Sequence, residues 1–198
     1  VVQETVKVKR DNAAAVREDQ NHDFAGPVST LRVVEVDSQI DPRWEALATS
    51  LPNGLIYHHP AWLRVLEEVY GYKPVNLACE DTDGQLQGIL PLYHMRGLAT
   101  GRRFVSLPRT PLAGPLASDD QAMAVLLHRT VERVREEPGT SLQLKVFSNA
   151  LDGLVDSVAG APWSVTYRLE LPEQLELLHF GNSRNQAGRG GSPGADRT

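Results

Sequence analysis

The chain has almost nothing that could staple it covalently or tether it. It holds one cysteine, Cys79, so no internal disulfide can form. No apolar run approaches the roughly 20 residues needed to cross a bilayer, and the first residues carry no signal-peptide pattern. A basic surplus is also missing. The net charge is −5 and the pI is near 5.7, which excludes a dedicated DNA-binding protein. The compartment these absences imply is the cytoplasm.

The catalytic signatures that short motifs carry are absent too. There is no Gly-x-Ser-x-Gly elbow, and Ser106 sits inside a strand pattern just ahead of a proline. Asp81-Thr82-Asp83-Gly84 begins like a calcium loop, but the twelfth position, where an EF-hand needs glutamate, is Leu92. The sequence fits a tight hairpin turn. His58 and His59 are adjacent and so lack the i, i+4 spacing of a helical zinc pair. Cys79 falls on the apolar side of a strand beside Glu80 and Asp81, an environment that suits packing better than nucleophilic attack.

What the chain does have is an ordered middle with 41% hydrophobic residues overall. Residues 1–30 read as a disordered leader and 179–198 as a flexible tail, since neither sustains an apolar period. Between them, Leu31 to Val36 is β-prone. Asp41-Pro42 opens a helix with Trp44, Leu47, Ala48 and Leu51 on one face. His59-Pro60 opens a second, with Trp62, Val65, Leu66 and Val69 at helical spacing. Three strands follow: Val75, Leu77 and Cys79 with one buried face, Gln85 to His94, and Arg102 to Leu107. A helix from about Asp119 to Glu137 carries acid first and base last. A strand over Leu142 to Phe147, a short helix over Ala150 to Val158 and a last strand over Val165 to Leu171 complete the run. The fold class is α+β, a mixed, mostly antiparallel sheet flanked by helices.

The order of elements is that of a GNAT acyltransferase, but the loop that should hold coenzyme A is Pro108-Arg109-Thr110-Pro111-Leu112-Ala113-Gly114-Pro115. A pyrophosphate cradle needs backbone N–H groups from a glycine-rich turn at a helix start. Three prolines, a single glycine and the following Asp119-Asp120 work against that. No cofactor is expected to bind. Arg96, Arg102, Arg103 and Arg109 make either a solvated rim or a site for an anionic ligand such as a phosphate-bearing lipid intermediate or a charged tRNA. Tyr57, His58, Arg103 and Arg109 are the candidate substrate-binding residues, with Tyr57 and His58 as an aromatic wall. No catalytic base and no metal ligand can be named.

Three stretches taken together resemble the FemAB-like acyltransferases, in their exopolysaccharide- and exosortase-associated branch. They are Ile56-Tyr57-His58-His59-Pro60-Ala61-Trp62, Gly88-Ile89-Leu90-Pro91-Leu92, and Gly101 to Pro108 running on to Gly114-Pro115. The resemblance covers about Leu31 to Asn185 and implies a GNAT-like domain over 31–178. It also implies transfer of an acyl or aminoacyl group to a cell-envelope or exopolysaccharide precursor, at the inner face of the membrane. In the full-length family the donor is aminoacyl-tRNA or acyl-coenzyme A, and the partner is an anionic envelope precursor. Phe180 to Asn185 is similar to the junction leading into a second GNAT-like domain, and the departure after Gln186 makes this chain read as a truncated amino-terminal half. Two alternatives stay open: a non-catalytic acceptor-binding module, and a one-domain N-acetyltransferase.

Overall fold

The architecture comes from a computed structural model, which describes residues 2–8, 30–97, 101–147, 151, 153–155 and 158–165. The elements are β1 (Val2–Val8), β2 (Arg32–Glu35), α1 (Pro42–Ser50), a 3₁₀ turn (Ile56–His58), α2 (Pro60–Tyr70), β3 (Leu77–Glu80) and β4 (Leu86–Leu90). Then come β5 (Leu92–Gly97), β6 (Gly101–Ser106), β7 (Leu116–Ala117), α3 (Asp120–Arg135), β8 (Thr140–Phe147) and β9 (Val158–Val165). The fold is α+β. One sheet has the order β5-β6-β8-β1-β9 and the other β2-β3-β4-β7. Every pairing is antiparallel except β6 with β8.

Local chemistry explains the helix boundaries. Asp41 caps α1 by accepting from the Arg43 backbone N–H, and Pro42 takes the first helical position, where no N–H is needed. His59 caps α2 through Nδ1, and Gly71 closes it in the left-handed region at φ 64°. Asp119 caps α3 by accepting from Ala122 N–H. The turn at Asp81 is held by its own carboxylate, which accepts from Asp83 N–H, Gln85 N–H and Gln87 Nε2. That leaves it as turn chemistry.

Two apolar clusters cover the sheets. On one side α3 presents Ala122, Leu126, Leu127 and Val131 to Leu77, Cys79, Leu90 and Phe104. On the other, α1 and α2 bring Trp44, Ala48, Leu63 and Leu66 to Ala78, Ile89, Tyr93 and Leu107. β3 is therefore buried on both faces, not on one as its alternation suggested, because helices cover it from both sides. Cys79 is fully buried, and burial pushes its thiol up to about 11. Glu80, also buried, is paired by Arg32 and Arg43.

Several expectations need correction. The leader contains a strand: Val2–Val8 pairs with β8 from Gln3↔Phe147 to Lys7↔Gln143, and with β9 on its other edge. Val2, Thr5, Val6 and Val8 are β-branched and favour this despite the nearby charges. The run 85–94 is split at Pro91, where the chain passes from one sheet to the other. Of the expected short helix over Ala150 to Val158, Leu151, Gly153 and Leu154 are in turns and Val158 opens β9, while positions 150, 152, 156 and 157 lie outside the described residues. The last strand begins earlier, at Val158, because β1 supplies it with a partner. The positions from Tyr167 to Leu171, like 9–29 and 179–198, lie outside the described residues.

The apolar face of α2 is also turned from the expected one. Leu63 and Leu66 are fully buried, whereas Val65 and Val69 are exposed by 43% and 68%. Seven hydrophobic residues on an eleven-residue helix make a stripe too wide for spacing to say which half faces inward. On this register Leu66→Ala should cost about 2–5 kcal/mol through the cavity it leaves. Val69→Lys should stay within about 0.5 kcal/mol. Urea unfolding of the two variants checks it; comparable losses would contradict this orientation of the helix.

Candidate functional site

The crevice that matters lies where β6 and β8 part. The two strands pair in parallel from Arg102↔Thr140 to Val105↔Gln143 and no further. The carboxyl ends of neighbouring parallel strands are where α/β sheets commonly receive ligands. Here the chain fills the opening itself. Ser106 Oγ accepts from Lys145 N–H at 2.9 Å, and Ala113 N–H donates to the Lys145 carbonyl at 3.2 Å. Residues 112–114 thus lie against β8 where the continuation of β6 would have run.

This filling segment is buried and irregular, so its polar groups need internal partners. Lys145 supplies two: Nζ donates to the carbonyls of Leu107 at 3.1 Å and Thr110 at 2.7 Å. Thr110 Oγ1 donates to the same Leu107 carbonyl at 2.8 Å. The lysine is 9% exposed, and burial, with the Arg103 charge nearby, pulls it below the usual lysine range. The bonds hold a backbone under strain. Leu107 has φ 46° and Arg109 φ 64°, conformations that cost about 1–3 kcal/mol each in residues other than glycine.

His58 closes the other side. Its Nε2–H donates to the Gly114 carbonyl at 3.1 Å, and its Nδ1 accepts from Leu55 N–H at 3.1 Å. Trp44 Nε1 donates to the His58 carbonyl at 2.8 Å, tying α1 to the same point. Gly114 is a glycine because of packing, since a Cβ there would lie 2.3 Å from Val146 Cγ1. The start of α3 is capped by Asp119 itself.

A cavity of about 490 Å3 remains beside the filled crevice, lined by His58, Asn53, Leu112, Met123, Lys145 and Phe147 among others. Of the four predicted binding residues it contains His58 alone. Tyr57 packs edge-on against Trp62 at 5.3 Å between centroids. Arg103 pairs through its backbone with Met95, and its Nε is buried without a hydrogen-bond partner. Arg109 is elsewhere, exposed, with Nε donating to the Tyr72 hydroxyl at 3.2 Å and its guanidinium 4.9 Å from the Tyr70 ring centroid. Tyr57 packs against the α1/α2 cluster, and Arg103 lies opposite Met95, which packs against the same cluster. Reading the sequence missed Lys145, Tyr70 and Tyr72. Lys145 alternates with Leu144 and Val146 and so has the pattern of an outward residue.

Among the described residues no group of three metal-ligating side chains converges. The histidines 58 and 59 are spent on backbone groups of different elements. No described helix is long and apolar enough to cross a membrane.

Burial holds the His58 imidazole below its ordinary 6.5, with the Gly114 carbonyl opposing weakly. Protonation would also remove the Nδ1 lone pair that Leu55 N–H requires. The folded form therefore binds the proton less well than the unfolded chain, whose value is about 6.5. Stability is fully present above that pH and is lost as the pH falls below it. Removing the ring in His58→Leu should cost about 1–3 kcal/mol at pH 7 by orphaning two buried backbone groups. The gap between variant and wild type should then narrow from pH 7 to pH 5, followed by thermal melts; a constant gap would contradict a neutral, clamped histidine.

No family model matches the chain, and no curated protein matches it. Among solved structures, a functionally unknown conserved protein from Staphylococcus epidermidis ATCC 12228 is similar at 11% identity and a TM-score of 0.44. The match covers 81% of this chain and 58% of that one, so the chain spans less than two thirds of that protein.

Proposed function

We propose that this chain is the first, GNAT-like half of a FemAB-type acyltransferase, the half that shapes the acceptor side and leaves the acyl donor to another domain. One observation carries the reading. The crevice between β6 and β8 is filled by residues 112–114, pinned there by Lys145 and His58. The order of elements around that crevice supports a GNAT-like domain: two helices after the strand β2, then a hairpin, then the parallel β6 and β8 joined through α3. The three prolines of 108–115 and the Asp119 cap at the start of α3 support a domain that holds no coenzyme A, and they work against a one-domain N-acetyltransferase.

The substrate in this reading is an anionic cell-envelope or exopolysaccharide precursor that offers an amine. The domain's contribution is positioning: holding the acceptor so that its amine meets an activated ester presented by the second half. Isothermal titration of the folded chain with acetyl-coenzyme A tests the central point. The expected result is no saturable heat into the millimolar range. Saturable binding near micromolar would show that the crevice opens, and would overturn the reading.

A further inference from the structure

We infer that the pocket between the end of β2 and α2 binds a linear polyamine. Its volume is about 450 Å3, and it is lined by Glu35, Val36, Asp37, Glu67, Pro74 and Asn76. Three of these six carry carboxylates and none is basic. The pocket shares no residue with the cavity beside the filled crevice, so it lies beyond the reading above and is tested apart from it.

The backbone fixes the walls. On one edge, residues 73–76 are held by β5: Val75 N–H donates to the Leu92 carbonyl at 2.7 Å, and His94 N–H to the Lys73 carbonyl at 3.4 Å. On the other edge, Val36 N–H donates to the Asn76 carbonyl at 3.0 Å. Asn76 itself is buried, with Nδ2 donating to Ser38 Oγ and Oδ1 accepting from Leu92 N–H. Pro74 pairs with Tyr93, which places that tyrosine beside the pocket wall. Tyr93 is 0% exposed, yet its hydroxyl has no hydrogen-bond partner. Glu67 Oε1, reaching in from α2, is buried without a partner as well. The two groups are close enough that the Glu67 charge, second to burial, pushes the Tyr93 hydroxyl up. Buried polar atoms left unpaired are rare in folded proteins, and two facing one acidic pocket point to a ligand.

Charge selects which ligand. Burial, then the charges of Asp37 and Glu68, hold the Glu67 carboxyl above its ordinary value, with Arg64 opposing them. Arg64 is engaged by Gln39 through Nε, and neither it nor Lys73 lines the pocket. Among the described residues no cation forms an ion pair with Glu35, Asp37 or Glu67. A bare divalent ion is a poor match, because no three metal-ligating side chains converge among the described residues. Ammonium groups separated by methylenes match better. One ammonium donates to Glu67 Oε1 and to the Tyr93 hydroxyl oxygen, a second meets Asp37 and Glu35, and the methylenes lie against Val36 and Pro74.

Spermidine is the probe, titrated by calorimetry at fixed ionic strength while amide shifts are followed at residues 35–37, 67, 75 and 76. Wild type should bind it saturably, and roughly tenfold or more tightly than butylamine or magnesium ion. Glu67→Gln should weaken it roughly tenfold, and Tyr93→Phe roughly threefold. Neither change should lower the melting temperature of the free protein, since each alters a group that has no partner there. Asp83→Asn removes one charge from the exposed hairpin turn and should leave binding within about twofold. Spermidine that fails to bind, or that binds Glu67→Gln and Tyr93→Phe as it binds wild type, would overturn the proposal. So would an equal loss in Asp83→Asn, or magnesium that matches spermidine, either of which would mean a diffuse acidic surface. Variants that lose stability as they lose binding would also overturn it, by showing that these groups serve the fold.

Discussion

The Lys145 ammonium reaches two buried carbonyl groups, that of Thr110 and that of Leu107, which Thr110 Oγ1 shares, and most of the structure around the crevice follows from that reach. A lysine buried without a carboxylate is costly, and so is an irregular loop inside the protein. Each offsets the other here: the ammonium finds dipoles, and the carbonyls find a donor. The result is a segment that can leave β6 at Ser106, turn through two strained residues, and return alongside β8. Once that path is set, β7 can pair with β4 through Gly88↔Ala117 and Ile89↔Leu116, and α3 can start from Asp119.

His58 extends the same constraint to the helical layer. It belongs to the turn before α2, it bonds to Gly114, and its carbonyl receives the Trp44 indole from α1. The filled crevice and the α1/α2 cluster are therefore one packing unit. Functionally this replaces an opening with a floor. A domain arranged this way offers a fixed surface, with the cavity of about 490 Å3 beside it.

Most of the elements were legible from residues alone, because their signals are local. Asp41-Pro42 and His59-Pro60 open the helices they were expected to open, the third helix starts beside Asp119 as expected, and Asp81 holds its hairpin turn. The errors fall where a distant partner decides. β1 is a strand because β8 and β9 flank it, and α2 buries Leu63 and Leu66 because the sheet meets that side. Lys145 has the pattern of a solvated residue, since alternation cannot reveal that both faces of the sheet are covered. That the 108–115 loop occupies the crevice could not be read from the sequence, because it depends on contacts between residues 35–56 positions apart.

Hydrogen exchange at Ala113 tests the account most directly. If the segment is a fixed part of the sheet, the Ala113 amide, which donates to the Lys145 carbonyl, should exchange as slowly as the amides of β8 and only through global unfolding. In Lys145→Met, which keeps the stem but loses both bonds, Ala113 should exchange faster than the β8 core amides while those remain protected. An Ala113 amide that exchanges in wild type at the rate of an open loop would contradict a crevice filled by the chain itself.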